Sequence, residues 1–101
     1  MTSTSLEWYR ANREASLERM RARARSRQRF LNGVKLGSGC VDCGFADHPA
    51  ALDLDHVRGE KAMDLSRARL SSWVVFIEEL EKCDVRCANC HRIVTAERRE
   101  A

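Results

Sequence analysis

No apolar run in the sequence is long enough to cross a bilayer, and the opening residues MTSTSLEWYRANRE contain no apolar stretch that would serve as a secretion signal. Membrane insertion is therefore not expected, and the expected setting is a reducing cytoplasm. Beyond one arginine-rich stretch there is no low-complexity segment, and there is no internal repeat. At 101 residues the chain has room for one domain at most, with a core that is only modestly stable unless something staples it. Cysteine is present in odd number, as Cys40, Cys43, Cys83, Cys87 and Cys90. In a reducing compartment, cysteines paired two residues apart point to metal rather than to disulfides.

What is present divides into two halves of opposite charge. Residues 1–36 carry nine Lys/Arg against three acids, a net +6, whereas residues 37–101 carry nine basic and twelve acidic residues, a net −3. The halves should do different jobs. In the first, Ser5 precedes Leu6, Tyr9, Arg13, Leu17, Met20, Ala24 and Leu31 at helical spacing, which predicts one helix over 6–32 ended by Gly33, Gly37 and Gly39.

In the second half, CVDCG at 40–44 is a tight turn that converges two thiolates. LDLDHV at 52–57 alternates and suits a short strand, RGEKAMDLSRAR at 58–69 reads as a loop with at most a short extended piece around Met63–Leu65, and Ser71 or Ser72 can cap a helix running to about Glu81. CDVRC at 83–87 suits a second strand, and a last helix starting near Ala88 places Cys90 and His91 in its first turn.

Cys40, Cys43, Cys87 and Cys90 form two C-x-x-C pairs, the ligand set of a closed tetrahedral zinc site. The alternative, a redox dithiol in one pair, is less suited to two pairs in so short a chain. Cys83 is left over and reads as a small buried hydrophobe. Asp55 and His56 are neighbours near the end of the first strand, so one can hold a metal while the other faces a substrate. The last imidazole, His91, follows the second cysteine pair and would be carried to the same region.

CVDCG, LDLDHV and CANCHR together make the sequence resemble the HNH endonucleases, specifically the small zinc-stapled kind found in phage genomes; the match covers roughly residues 38–99. The resemblance implies an α+β, ββα-metal domain with a treble-clef-like zinc over 38–101, preceded by an arginine-rich helical arm over 1–37. It implies that Asp55 and His91 hold a catalytic ion, Mg2+ or another divalent transition metal, that His56 is the general base, and that the four cysteines hold structural Zn2+. The expected substrate is double-stranded DNA, cut to 5′-phosphate and 3′-hydroxyl ends, and the expected setting is phage-related, alongside packaging proteins in a host cytoplasm.

Two positions depart from the family. Its middle Asn commonly lies nine residues before the last His, where this chain has Lys82, and Asn89 is the nearby Asn that would order the active-site loop in its place; Asn89 also reads as an ordinary polar residue in a helix's first turn. Some relatives carry a metal-binding His where this chain has Thr95, which leaves water to complete the ion's shell.

The chemistry agrees with that assignment. A phosphodiester repels hydroxide, so cleavage needs a positioned base and a cation for the charge that builds on oxygen, and an imidazole can take a proton near neutral pH. Arg19, Arg21, Arg23, Arg25, Arg27 and Arg29 recur every second residue and would spray around a helix, which favours nonspecific phosphate contact over base reading. Lys61 and Arg58 would add phosphate contacts or stand as solvated loop charges. The residues leave open whether two chains pair through the apolar stripe of the first helix.

The competing class is a non-catalytic zinc-stapled nucleic-acid-binding module. A nucleobase deaminase would need H-x-E, which neither His48 nor His56 begins, and a C2H2 finger would need a spaced His pair that is absent.

Overall fold

The computed structural model describes residues 2–101, with side chains from residue 4 onward. Helix α1 spans Thr2–Ser38, and a single 3-10 turn at Pro49–Ala51 leads into strand β1, Leu52–His56. Helices α2 (Leu65–Ala68) and α3 (Trp73–Glu81) follow, then strand β2 (Cys83–Cys87) and helix α4 (Ala88–Glu100). The architecture is α+β: helices around one two-stranded antiparallel sheet.

Helix α1 is longer than the expected 6–32, because Gly33 and Gly37 stay helical and the chain first turns left-handed at Gly39, φ +68°, whose amide donates to the Lys35 carbonyl. Two interior glycines each cost about 1 kcal/mol relative to alanine. That cost is met where the helix docks: Leu31 is buried beside Ala68 and Phe76, Arg69 donates to Gln28, and Arg27 donates to the Ser71 carbonyl. Among the described residues, the long-range side-chain bonds of α1 begin at Arg23, which donates to the Leu70 carbonyl. Its first five turns project as an arm. The Cα radius of gyration is accordingly 18.3 Å, against roughly 13 Å for a compact chain of this length.

Strands β1 and β2 pair Leu52 with Cys87, Leu54 with Val85 and His56 with Cys83 on one face, and Asp53 with Arg86 and Asp55 with Asp84 on the other. The first face is apolar and meets Cys40 and Phe45 around Leu52, Val85 and Cys87. A second cluster gathers Leu31, Ala68 and Phe76 with Leu54, Met63 and Leu80. Phe30, Trp73 and Phe76 add aromatic contacts at 5.3–6.0 Å between ring centres, edge-on for Phe30 against the other two and tilted between Trp73 and Phe76.

Residues 65–68 form α2 rather than the expected loop or extended piece. Asp64 stands at its start, and Ala68 is driven under Leu31 and Phe76. Local polarity hid this turn from the sequence because its stability comes from tertiary burial. Of the two expected cap candidates, Ser71 and Ser72, it is Ser72 that caps α3, by accepting from the Val75 amide. Among the described residues no helix is long and apolar enough to cross a membrane.

Candidate active site and metal centre

Cys40 follows the turn that ends α1, Cys43 sits in the next turn, Cys87 ends β2 and caps α4, and Cys90 lies in the first turn of α4. All four sulfurs lie within 4.8 Å of one another. The Cys43 and Cys87 sulfurs are 3.7 Å apart, and two thiolates at about 2.3 Å on a tetrahedral zinc would be roughly 3.8 Å apart. The donor set and its spacing fit zinc.

The thiols differ in how readily they ionise. Burial resists ionisation of Cys40, but the backbone amides of Cys87, Cys43 and Asp42 outweigh it and bring the thiol down to about 6. At Cys43 the Phe45 amide favours the thiolate, yet the Cys40 and Cys87 sulfurs together with burial push the thiol up. Cys90 is pushed up by the Cys87 sulfur and by burial. Four thiolates cannot crowd together without a cation, and a divalent ion supplies that charge. Cys83 lies apart from this cluster, buried, its thiol raised to about 11 by desolvation. It behaves as the inert hydrophobe expected.

The polar face of the sheet meets α4. His91 Nδ1 donates to Asp53 Oδ2 at 3.0 Å, since a carboxylate can only accept, and this turns Nε2 toward Asp55 Oδ1 at 3.7 Å. Asp55 is only 6% exposed. It accepts from both Nη atoms of Arg98 at 2.9 and 3.1 Å and from Arg86 Nη1 at 2.7 Å, while Arg86 Nε donates to Asp42. Burial would raise the Asp55 carboxyl; the Arg98 and Arg86 guanidiniums outweigh it and hold the group below its ordinary range. Beside this cluster a cleft of about 490 Å³ is lined by Asp53, His91, Arg92, Thr95 and Arg99.

His56 emerges from the opposite face of β1 and turns to α3. Its Nε2 lies 3.2 Å from Glu79 Oε2, and Glu79 is 2% exposed. The other carboxylate oxygen, Oε1, accepts from Lys82 Nζ at 2.6 Å and from the Ala62 amide at 3.3 Å. Lys82 holds Glu79 below the ordinary carboxylate range in spite of burial, with His56 adding to the effect. Of the three expected active-site residues, Asp55 and His91 are brought together, and His56 is held separately at the strand end.

Other expected site residues are placed differently. Asn89 is exposed and lines a cleft with Cys43, Cys87 and Cys90, away from the Asp55 cluster. Lys82 instead orders the loop after β1: its carbonyl accepts from the Val57 and Arg58 amides and its Nζ donates to the Glu60 carbonyl. Lys61 pairs with Asp64, and Arg58 is committed to the Glu81 and Cys83 carbonyls and to Asp84. Arg27 is withdrawn from the row of arm arginines: it is buried, with its guanidinium 3.9 Å from the Trp73 ring centre. Arg19, Arg21, Arg23, Arg25 and Arg29 remain exposed, with Arg25 paired to Glu18.

Four residues beyond those expected belong to the site: Asp53, Arg86, Arg98 and Glu79. Asp53 shares the alternation of Asp55, a signal legible in LDLDH. Glu79 falls three residues after Phe76 in the apolar stripe of α3, and a lone acid at a buried stripe position is itself a signal. Arg86 and Arg98 carried none, because their roles depend on strand register and on how α4 docks. Compared with family models, with curated proteins and with solved structures, the chain matches none.

Proposed function

We propose that this chain is a metal-dependent DNA endonuclease of the HNH type. The observation that carries the reading is the Asp55–His91 contact: Asp53 holds His91 through Nδ1, so that in the neutral ring the Nε2 lone pair faces an Asp55 oxygen across 3.7 Å. Two electron-rich atoms opposed in this way, beside a four-sulfur cluster and in a ββα arrangement of β1, β2 and α4, make a half-built cation site. Asp55 and His91 would hold a divalent ion once Arg98, 49% exposed along its side chain, gives way. Such an ion supplies charge to the phosphoryl and leaving oxygens.

The chain's own groups do the rest. Asp53 orients His91. Arg92 and Arg99 line the adjacent cleft and offer cations to the phosphates on either side of the scissile bond. His56 takes the proton from water. Because it leaves β1 on the face opposite Asp55, the scissile phosphate must straddle the end of the strand near residues 55–57. Lys82 rather than Asn89 orders the loop there. The exposed arm arginines hold duplex backbone without reading bases.

One observation favours a second reading, a zinc-stapled nucleic-acid-binding module without catalysis: both Asp55 oxygens are already satisfied by guanidiniums, and His56 by Glu79. Plasmid cleavage with Mg2+, Mn2+ or Ni2+ separates the two. Nuclease action predicts cutting that needs the ion, falls about 100-fold or more in His56→Ala, and is accompanied by weak Mn2+ binding that His91→Ala removes while the zinc stays. DNA retention with no cutting in any ion establishes the binding module, and cutting that survives His56→Ala removes that residue as base.

A further inference from the structure

Glu79 is an acid nearly sealed from water, on a helix that contributes no other group to the proposed chemistry. Its two oxygens are used differently. Oε1 is occupied by Lys82 Nζ and the Ala62 amide, and Oε2 is left to His56 Nε2. An ionised carboxylate has only lone pairs to offer, so the nitrogen facing it must carry hydrogen. In the neutral ring the other nitrogen, Nδ1, is then the bare one, and among the described residues it has no protein partner. The His56 ring is partly open to solvent, with a side-chain exposure of 18%.

We infer that Glu79 is a positioning residue that fixes His56 in the Nε2–H form and presents Nδ1 to water as the proton acceptor. The inference rests on the nuclease reading. It goes beyond that reading by assigning the reacting atom and by extending the site to α3 through the chain Lys82, Glu79, His56. In the step it serves, the water oxygen forms the new bond to phosphorus and its proton passes to Nδ1. The bond from phosphorus to the 3′ oxygen breaks with its electron pair on oxygen, and that oxygen takes a proton from solvent. The Nε2 hydrogen stays on the ring, and the buried carboxylate stabilises the imidazolium that results.

The tautomer can be observed without DNA. The chain has three histidines, His48, His56 and His91, so the imidazole nitrogen signals of the zinc-loaded full-length protein can be assigned by comparison with His56→Gln. At a pH where the ring is neutral, the expected spectrum has a protonated Nε2 and a bare Nδ1 at His56. In Glu79→Gln that preference collapses to a mixture, and plasmid cutting falls about 100-fold in kcat with KM unchanged; Glu79→Asp recovers part of both.

A native His56 protonated at Nδ1 overturns the inference. So does a Glu79→Gln spectrum that keeps the native tautomer while cutting falls, which would make Glu79 merely structural. Should Glu79→Gln lose its zinc, the native and Glu79→Asp spectra decide. A native chain with the expected tautomer that cuts no DNA overturns the nuclease reading instead, a result readily told apart from the others.

Discussion

Asp55 is a carboxylate surrounded by donors, and its acid sensitivity follows from that. The Arg98 and Arg86 guanidiniums set its folded pKa below the ordinary carboxylate value in spite of burial. A group depressed in the folded state contributes stability at pH values above its unfolded pKa, and the contribution is lost as pH falls through the folded one. The chain should therefore hold through neutral pH and weaken in acid, below the ordinary Asp range. Arg98→Gln should move the acid unfolding midpoint to higher pH, as followed by circular dichroism at fixed zinc; an unchanged midpoint would show that the pair contributes nothing to folding. At the proposed cation site the expected effect has the opposite sense: Arg98→Gln should strengthen Mn2+ binding, since the substitution vacates an oxygen of Asp55.

At the level of elements, α1 departs most from local preference. Gly33 and Gly37 lie inside it with nothing within 4 Å of where a Cβ would stand. Alanine at either site should raise stability by about 0.5–1 kcal/mol, through a less flexible unfolded chain and better helix propensity. Thermal or urea unfolding of each variant measures this, and a loss of stability would show that the helix is interrupted there. Gly39 is the contrasting case, because its backbone is left-handed and a Cβ there would crowd the Gly44 carbonyl at 3.2 Å, so a side chain would be strained.

The sequence made β1, β2, the Ser72 cap and the start of α4 legible because alternation and capping are local. The C-terminal reach of α1 and the existence of α2 were not legible, since both depend on Leu31, Ala68 and Phe76 meeting across the fold. The candidate site divides in the same way. Its cysteines were readable from spacing and the pairing of Asp55 with His91 from the family resemblance, whereas Arg86, Arg98 and Glu79 enter through register and docking.

For the whole molecule, among the described residues the largest side chains sealed completely are Phe76 and Leu52, a thin core for 101 residues. Structural zinc contributes about 10–16 kcal/mol of apparent binding energy in small domains, comparable to the 5–15 kcal/mol that stabilises a typical fold. Stripping the metal with a strong chelator should therefore abolish the cooperative thermal transition of the region from Cys40 onward, and one equivalent of Zn2+ should restore it. A melt that keeps its midpoint in chelator would mean that the apolar contacts suffice alone.

The 37-residue helix spans about 55 Å at 1.5 Å per residue, and only two residues after its end the chain enters the sulfur cluster at Cys40. So short a joint, pinned by the Gly39 amide on Lys35 and the Cys40 amide on Phe45, transmits torque. A force applied at the far tip near Trp8 and Tyr9 therefore works on a long lever whose fulcrum is the four-cysteine cluster, and a small swing there would be felt as a twisting force on the knuckle that also starts α4.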